Sequence, residues 1–314
     1  MRILWLKSDL LLPLDKGGKL RTWHLMRHLA RRHEITYLSF ATADERAQNE
    51  GMREVAARVE TVPRIDPPKR SVRFYAAAAR YAADPLPYAV ARYRSRPFAA
   101  RLTQLLREQP FDLIVCDFLF PAVNLPASLP CASVLFTHNV ESEIWRRHAE
   151  TRSNPVARLL YRIQQAKMLR FEGATLRRFN GVLAVSDADR STFYRLYPGA
   201  IQHEVHVVPT GVDTAFFDMP AGASVRPGHL VFTGSMDWLP NEDAMLFFCR
   251  DILPRIRAQE PSASLAIIGR EPTPAVRRLA EINGVAVTRR VDDVRGFLAE
   301  GDVYVVPLRI GGGT

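Results

Sequence analysis

Short apolar runs alternate with longer stretches of helical periodicity along almost the whole chain. Arg2–Leu6, Glu34–Phe40, Arg58–Val62, Asp112–Cys116, Ala132–Thr137, Gly181–Val185 and Glu204–Val208 have the length and apolar content of strands. Between them, Gly18–Arg32 and a longer stretch from Val156 to Arg178 carry apolar residues at helical spacing. Strands separated by helices predict βαβ units and a mostly parallel, doubly wound sheet. The pattern breaks over Asp218–Gly228, a Pro-, Gly- and Ala-rich stretch that reads as a linker. It restarts with strands at His229–Thr233, Leu265–Ile268, Val285–Thr288 and Val303–Val306, and helices at Asn241–Ala258, Pro274–Ile282 and Asp293–Ala299. The reading is α/β, with two Rossmann-like domains over residues 1–218 and 219–314. The last strand empties into Gly311, Gly312 and Gly313 before Thr314. A helix with anion-holding amides is expected after such a turn, so the second domain reads as incomplete.

Composition changes this picture little: 47% apolar and 24% charged residues are ordinary for a globular protein. Charge changes it more. Residues 1–200 hold 32 Lys/Arg against 19 Asp/Glu, whereas residues 201–314 hold 11 against 14, so the net charge of +10 belongs to the first half. A basic half fits nucleic acid, an anionic membrane surface, an anionic small substrate, or simply a solvated Arg-rich surface. Cys116, Cys131 and Cys249 have no paired spacing, which argues against a disulfide framework or a zinc site and fits a reducing, cytoplasmic setting. The apolar start is broken at Lys7, too early for a signal-peptide core, and no run reaches the ~18 apolar residues of a membrane-spanning helix.

Candidate chemistry lies where strands end. Gly17 and Gly18 fall between the first strand and first helix, at the edge of an open parallel sheet where ligands bind. They either admit a phosphate to the helix N-terminus or only make a turn. The spacing matches neither the dinucleotide G-x-G-x-x-G nor the P-loop. His138 follows a buried strand; there it could donate to a substrate hydroxyl, carry a proton, or merely bond a neighbouring loop. Asn139 is placed to cap the next helix. In the second domain Gly234 and Ser235 end one strand and offer amides to a phosphate, Asn241 is placed to cap the helix after them, and Gly269 ends another strand. Glycine turns at successive strand ends, with Gly311–Gly313, suggest one glycine-lined rim.

These pieces together resemble the retaining glycosyltransferases of the GT-B fold, family 4 type, and most closely the sugar transferases of bacterial exopolysaccharide clusters. The resemblance rests on Lys16-Gly17-Gly18 with Arg21, Thr137-His138-Asn139-Val140-Glu141-Ser142, Ala184-Val185-Ser186 and Val208-Pro209-Thr210-Gly211-Val212-Asp213. It also rests on Gly234-Ser235-Met236-Asp237-Trp238 with Pro240-Asn241, and on Pro307-Leu308-Arg309 with Gly311–Thr314. It implies two domains facing across a cleft, an acceptor domain first and a nucleotide-sugar donor domain second. By the same resemblance Gly18 lies against the donor phosphate or sugar, and His138 bonds a sugar hydroxyl near the reacting carbon. Gly234 and Ser235 approach the diphosphate, Val291 meets the base through its backbone, and Gly311, Gly312, Gly313 and Thr314 hold the diphosphate and sugar; Gly269 joins the donor-binding residues by its place on the same rim. Two departures stand out. Gly312 occupies the place of the first glutamate of the usual Glu-x7-Glu pair. The Arg and Lys usual after the Gly234 turn are replaced by Asp237 and Trp238, so nothing in the second domain accounts for phosphate charge.

The implied reaction moves a sugar from a nucleotide diphosphate sugar to a glycan or lipid-linked acceptor, a hexosyl transfer with retention and no metal or other cofactor. Arg92, Arg94 and Arg96, interleaved with Tyr88, Tyr93 and Phe98, mark the acceptor or membrane side and suit an anionic surface, placing the protein on the inner face of the cell membrane. No nucleic-acid motif accompanies them. A nucleotide-sugar epimerase on the same fold, or a non-catalytic fragment, are the rival readings. No paired carboxylates support the glycosidase mechanism.

Overall fold

The computed structural model describes residues 1–46, 49–64, 71–218 and 224–310. It divides into two compact units, one over Met1–Thr210 and a second beginning at Gly211. Within the first, the elements run β1 (Arg2–Lys7), α1 (Gly17–Leu29), β2 (Glu34–Ala41), α2 (Ala43–Arg46), β3 (Arg58–Pro63), α3 (Val72–Ala83), α4 (Tyr88–Ala91) and α5 (Arg96–Glu108). They continue through β4 (Leu113–Asp117), β5 (Ala132–Phe136), α6 (Glu141–Thr151), α7 (Pro155–Leu176), β6 (Gly181–Ala184), α8 (Asp187–Leu196) and β7 (Val205–Val207).

The seven strands pair in parallel in the order β3-β2-β1-β4-β5-β6-β7. Helices cover both faces, so strand residues are buried on both sides and read as continuous apolar runs. Alternate residues of β1 go to opposite layers: Leu4 and Leu6 join the core with Phe98, Leu102 and Ile114, while Ile3 and Trp5 join Trp23, Met26 and Tyr37. The chain builds one wing of the sheet outward from β1 and then returns to build the other from β4. The β1/β4 junction is therefore the switch point, where the strand carboxyl ends open a crevice. Register sets what stands there: Leu6 lies opposite Cys116 and Asp117 opposite Phe136. Lys7, Asp117 and the residues after Phe136 thus reach one edge together.

The second unit contains β8 (His229–Thr233), α9 (Leu239–Phe247), α10 (Leu253–Arg257), β9 (Ser264–Ile268), α11 (Pro274–Arg278), β10 (Val285–Val287), α12 (Arg295–Glu300) and β11 (Val303–Tyr304). Its parallel order, β10-β9-β8-β11, again places the first strand at a switch point. Leu230, Phe232, Leu265 and Ile267 pack on Met245 and Phe248, and Val231, Ala266 and Ile268 form the core of the other face. The single helix expected over Asn241–Ala258 is interrupted. A π-helical turn, Phe248–Ile252, separates α9 from α10, because Pro254 lacks an N–H and its ring crowds the carbonyl one turn earlier. Among the described residues no helix is long and apolar enough to cross a membrane.

Candidate active site

Lys7 and Asp117 end the central strands β1 and β4, and both are buried. Lys7 Nζ lies 2.8 Å from Asp117 Oδ1 and 3.1 Å from Thr22 Oγ1. The same Oδ1 is 2.8 Å from His138 Nε2. Oδ2 accepts from Trp5 Nε1 at 2.9 Å and Thr22 Oγ1 at 2.6 Å. Four donors thus surround one carboxylate. Burial alone would raise its pKa, but the charge of Lys7 and the hydrogen bond from His138 outweigh that and hold it far below the usual carboxylate range.

An ionised carboxylate only accepts, so His138 Nε2 carries the proton in this pair. Burial lowers the pKa of His138, partly offset by Asp117, which leaves the ring neutral at physiological pH. Nδ1 is then the accepting nitrogen. It sits on the side of Gly18, where a Cβ would stand 3.5 Å from Nδ1 and 3.4 Å from Phe118 Cε2. Gly18 and His138 are therefore brought together, as the sequence suggested, but the imidazole accepts toward Gly18 rather than donating. Around Gly17 a Cβ would meet nothing within 4 Å. The amides of Gly17 and Gly18 precede the first intrahelical bonds of α1, in which Lys19 and Leu20 donate to Lys16 O.

Three further groups frame this corner. Phe118, in a left-handed backbone at φ 73°, stacks on the imidazole. Arg21 lies over the Phe136 ring, 4.5 Å from its centroid, and donates through Nη2 to Val208 O. Its buried Nη1 has no hydrogen-bond partner among the described residues. The amides that open α6 are capped not by Asn139 but by Glu172 of α7, whose carboxylate accepts from Glu141 N at 2.9 Å and Ser142 N at 3.1 Å. Tyr197 donates to the same carboxylate. Burial and the neighbouring Glu172 charge push the Glu141 carboxyl up to about 8, so it is neutral at physiological pH.

In the second unit Gly234 and Gly269 are adjacent turns. A Cβ on Gly269 would stand 1.7 Å from Gly234 O, so packing of the two backbones itself requires this glycine. The expectation that Gly234 offers its amide to a phosphate is corrected, because that N–H donates to Ile268 O at 2.9 Å. Gly269 N likewise donates to Thr288 Oγ1 at 3.2 Å. Asn241 is not a cap: α9 starts earlier, at Leu239, and Asn241 Nδ2 donates to Ser235 O at 3.0 Å. A guanidinium stands on the neighbouring turn, 3.9 Å from Asp237. Arg270 Nε donates to Ser235 Oγ at 2.8 Å, and Arg270 lines a cavity of about 410 Å³ with Glu271, Pro272, Arg277, Arg289 and Arg290. The side chain of Val291 packs on the layer of Val231, Ala266 and Ile268. Gly311, Gly312, Gly313 and Thr314 lie outside the described residues. Arg92 and Arg94 are exposed after α4, Arg94 pairing with Asp84, and Arg96 is exposed at the start of α5.

Sequence reasoning missed Lys7, Asp117, Trp5, Thr22, Phe118 and Arg270. The available signal was a charged residue directly ending an otherwise apolar central strand, twice.

The two doubly wound sheets, together with the family models that match them, place the chain in one class: the glycosyltransferases of the GT-B fold. The chain belongs to glycosyltransferase family 4, whose family model, described as Glycosyltransferase Family 4, matches residues 16–216; that of Glycosyl transferases group 1 matches residues 227–314. Similar solved structures include a sucrose-phosphate synthase from Thermosynechococcus elongatus (TM-score 0.62, 12% identity, 98% of this chain and 75% of that one). The catalytic domain of starch synthase IV from Arabidopsis thaliana, bound to ADP and acarbose, is similar over 98% of this chain and 78% of that one (TM-score 0.57, 10% identity). So is the N-terminal domain of trehalose-6-phosphate phosphatase from Candida albicans, over 99% and 79% (TM-score 0.55, 12% identity). At these identities the likeness is one of fold. No curated protein sequence matches the chain.

Proposed function

We propose that this glycosyltransferase moves a sugar from a nucleotide diphosphate sugar to a glycan or lipid-linked acceptor with retention of anomeric configuration, in exopolysaccharide biosynthesis. The observation that carries the reading is His138, oriented by Asp117 and kept neutral by burial, with its accepting nitrogen toward Gly18. A sugar hydroxyl donating to Nδ1 is oriented without a charge being placed beside the reacting carbon.

Retention itself is carried over from the resemblance, and Asp117 bears only on its route. Both its oxygens are engaged and the residue is fully buried, so it is no nucleophile for a double displacement. The reading is a same-face substitution: the bond from the anomeric carbon to the phosphate oxygen breaks, and its electron pair leaves with the diphosphate. The acceptor oxygen bonds the same face of that carbon, and its proton passes to the departing phosphate. Charge on the leaving group is the quantity to stabilise. Arg270 beside Ser235, within a cavity lined by four arginines, supports an anionic nucleotide on the second unit. The ADP bound to the starch synthase relative agrees with a nucleotide ligand on this fold.

The test is incubation with UDP-, GDP- and ADP-sugars, with and without a polyprenyl-linked acceptor. Free nucleoside diphosphate is measured, and the anomeric configuration of the product is read by NMR. Acceptor-dependent release with a retained anomer supports the reading. Inversion, or epimerised sugar nucleotide without acceptor, overturns it.

A further inference from the structure

Helix α7 shows an apolar stripe to solvent over its first turns. Val156, Leu159, Leu160 and Ile163 are 66, 59, 57 and 43% exposed, and their spacing of three, one and three residues puts them on one face. The inward face is already occupied, with Tyr161 packed against Trp145 and His148 of α6, and Met168, Glu172 and Leu176 buried further along. The stripe is therefore surplus to the core. A contiguous aliphatic patch of this kind on a water-facing helix marks an interaction surface.

The surrounding charge selects the partner. Arg162 is exposed on the flank adjoining Leu159 and Arg170 further along the face of the stripe, while Arg158 lies beyond Arg162 and donates to Arg152 O at 3.0 and 3.2 Å. On the other flank Gln164 Oε1 accepts from Tyr88 N at 2.7 Å, and Lys167, in line with the stripe one turn beyond Ile163, donates to Asp84 O at 2.6 Å. That side abuts the segment carrying exposed Arg92 and Arg94. The one acidic residue of α7, Glu172, is buried. A second copy of the chain would bring the same guanidiniums to the same face, whereas an anionic lipid surface complements both the aliphatic stripe and its basic border.

We propose that this face of α7 docks the protein on an anionic bilayer, the four aliphatic side chains entering the headgroup boundary and the arginines meeting lipid phosphates. The proposal goes beyond the transfer reaction and stands on this surface alone. Co-sedimentation of the full chain with phosphatidylcholine vesicles, with and without phosphatidylglycerol, tests it. Binding is expected only with phosphatidylglycerol and is weakened by salt. Leu159→Gln with Ile163→Gln, and separately Arg162→Gln with Arg170→Gln, are expected to lower the partition about tenfold or more with an unchanged melting temperature. Nucleotide release without vesicles should stay at the wild-type value in both, which separates docking from transfer. Equal binding to both vesicle types, or no binding to either, overturns the proposal. So does undiminished binding of the Leu159→Gln/Ile163→Gln protein, or a solution dimer that this double change converts to monomer.

Discussion

Phe118 lays its ring on His138, the centroids 4.2 Å apart and the planes 13° from parallel. It does so from a left-handed backbone, φ 73°, that a bulky residue rarely adopts. The conformation is held by Phe118 N donating to Phe136 O at 2.9 Å. The ammonium of Lys7 also lies 4.9 Å from the ring centroid. Backbone strain of this kind costs on the order of 1–3 kcal/mol and gathers where a side chain must be aimed.

Phe118→Gly and Phe118→Ala therefore separate ring from backbone. Both remove the stack, but glycine relieves the left-handed strain, so it is expected to be the more stable by about 1 kcal/mol in urea unfolding. An alanine variant as stable as the glycine one would show that the backbone carries no strain.

Lys7 and Asp117 are expected to behave as one unit. Lys7→Met leaves a buried carboxylate short of its counter-charge and should cost about 3–5 kcal/mol. Asp117→Asn should cost a comparable amount by orphaning the ammonium. The double variant should recover about 1–3 kcal/mol relative to the sum of the singles. Additive losses in denaturant titrations would mean that the two charges are not coupled.

The glycines divide by cause. Gly18→Ala adds a methyl at ordinary contact distance from Phe118 and His138, so its melting temperature should match wild type while donor binding falls about tenfold or more, the room lost being that of a ligand. Gly269→Ala drives a methyl into Gly234 O and should lose about 3 kcal/mol of stability or more. A Gly18→Ala protein with unimpaired donor affinity by calorimetry would remove Gly18 from the site.

Glu141 should leave a pH signature. The unfolded carboxyl titrates near 4.5 and the folded one near 8, so between those values unfolding releases a proton and stability falls as pH rises. Glu141→Gln is neutral throughout. Its stability relative to wild type should rise by about 3–4 kcal/mol between pH 5 and pH 8, in thermal melts across that range. A pH-independent difference would contradict a protonated Glu141.

Much of the fold was legible because its signals are local. The apolar run Leu4–Leu6 and the periodicity from Val156 onward declare a buried strand and a helix without reference to the rest of the chain. His138 and Gly18 were legible as well, since each borders such an element. The group that orients His138 was not. The strands were read as ending at Leu6 and Cys116, each one residue short of the charge that matters. Lys7 and Asp117 are 110 residues apart, and only the β1–β4 register makes them neighbours. Arg270 escaped for the same reason: its contact with Ser235 crosses from the end of β9 to the end of β8. The break in the helix after Phe247 had a visible cause in Pro254, which the apolar periodicity outweighed.

The central claim is that a neutral, Asp117-oriented His138 positions the donor sugar. Nucleoside diphosphate release by wild type and His138→Ala, followed across pH, tests it most directly. Release by wild type should hold down through pH 6.5, the ordinary histidine value, because the ring protonates only below it. His138→Ala should fold normally and release nucleotide about a hundredfold more slowly, without that acid limb. Turnover unchanged in His138→Ala, with the same pH profile, would contradict the account.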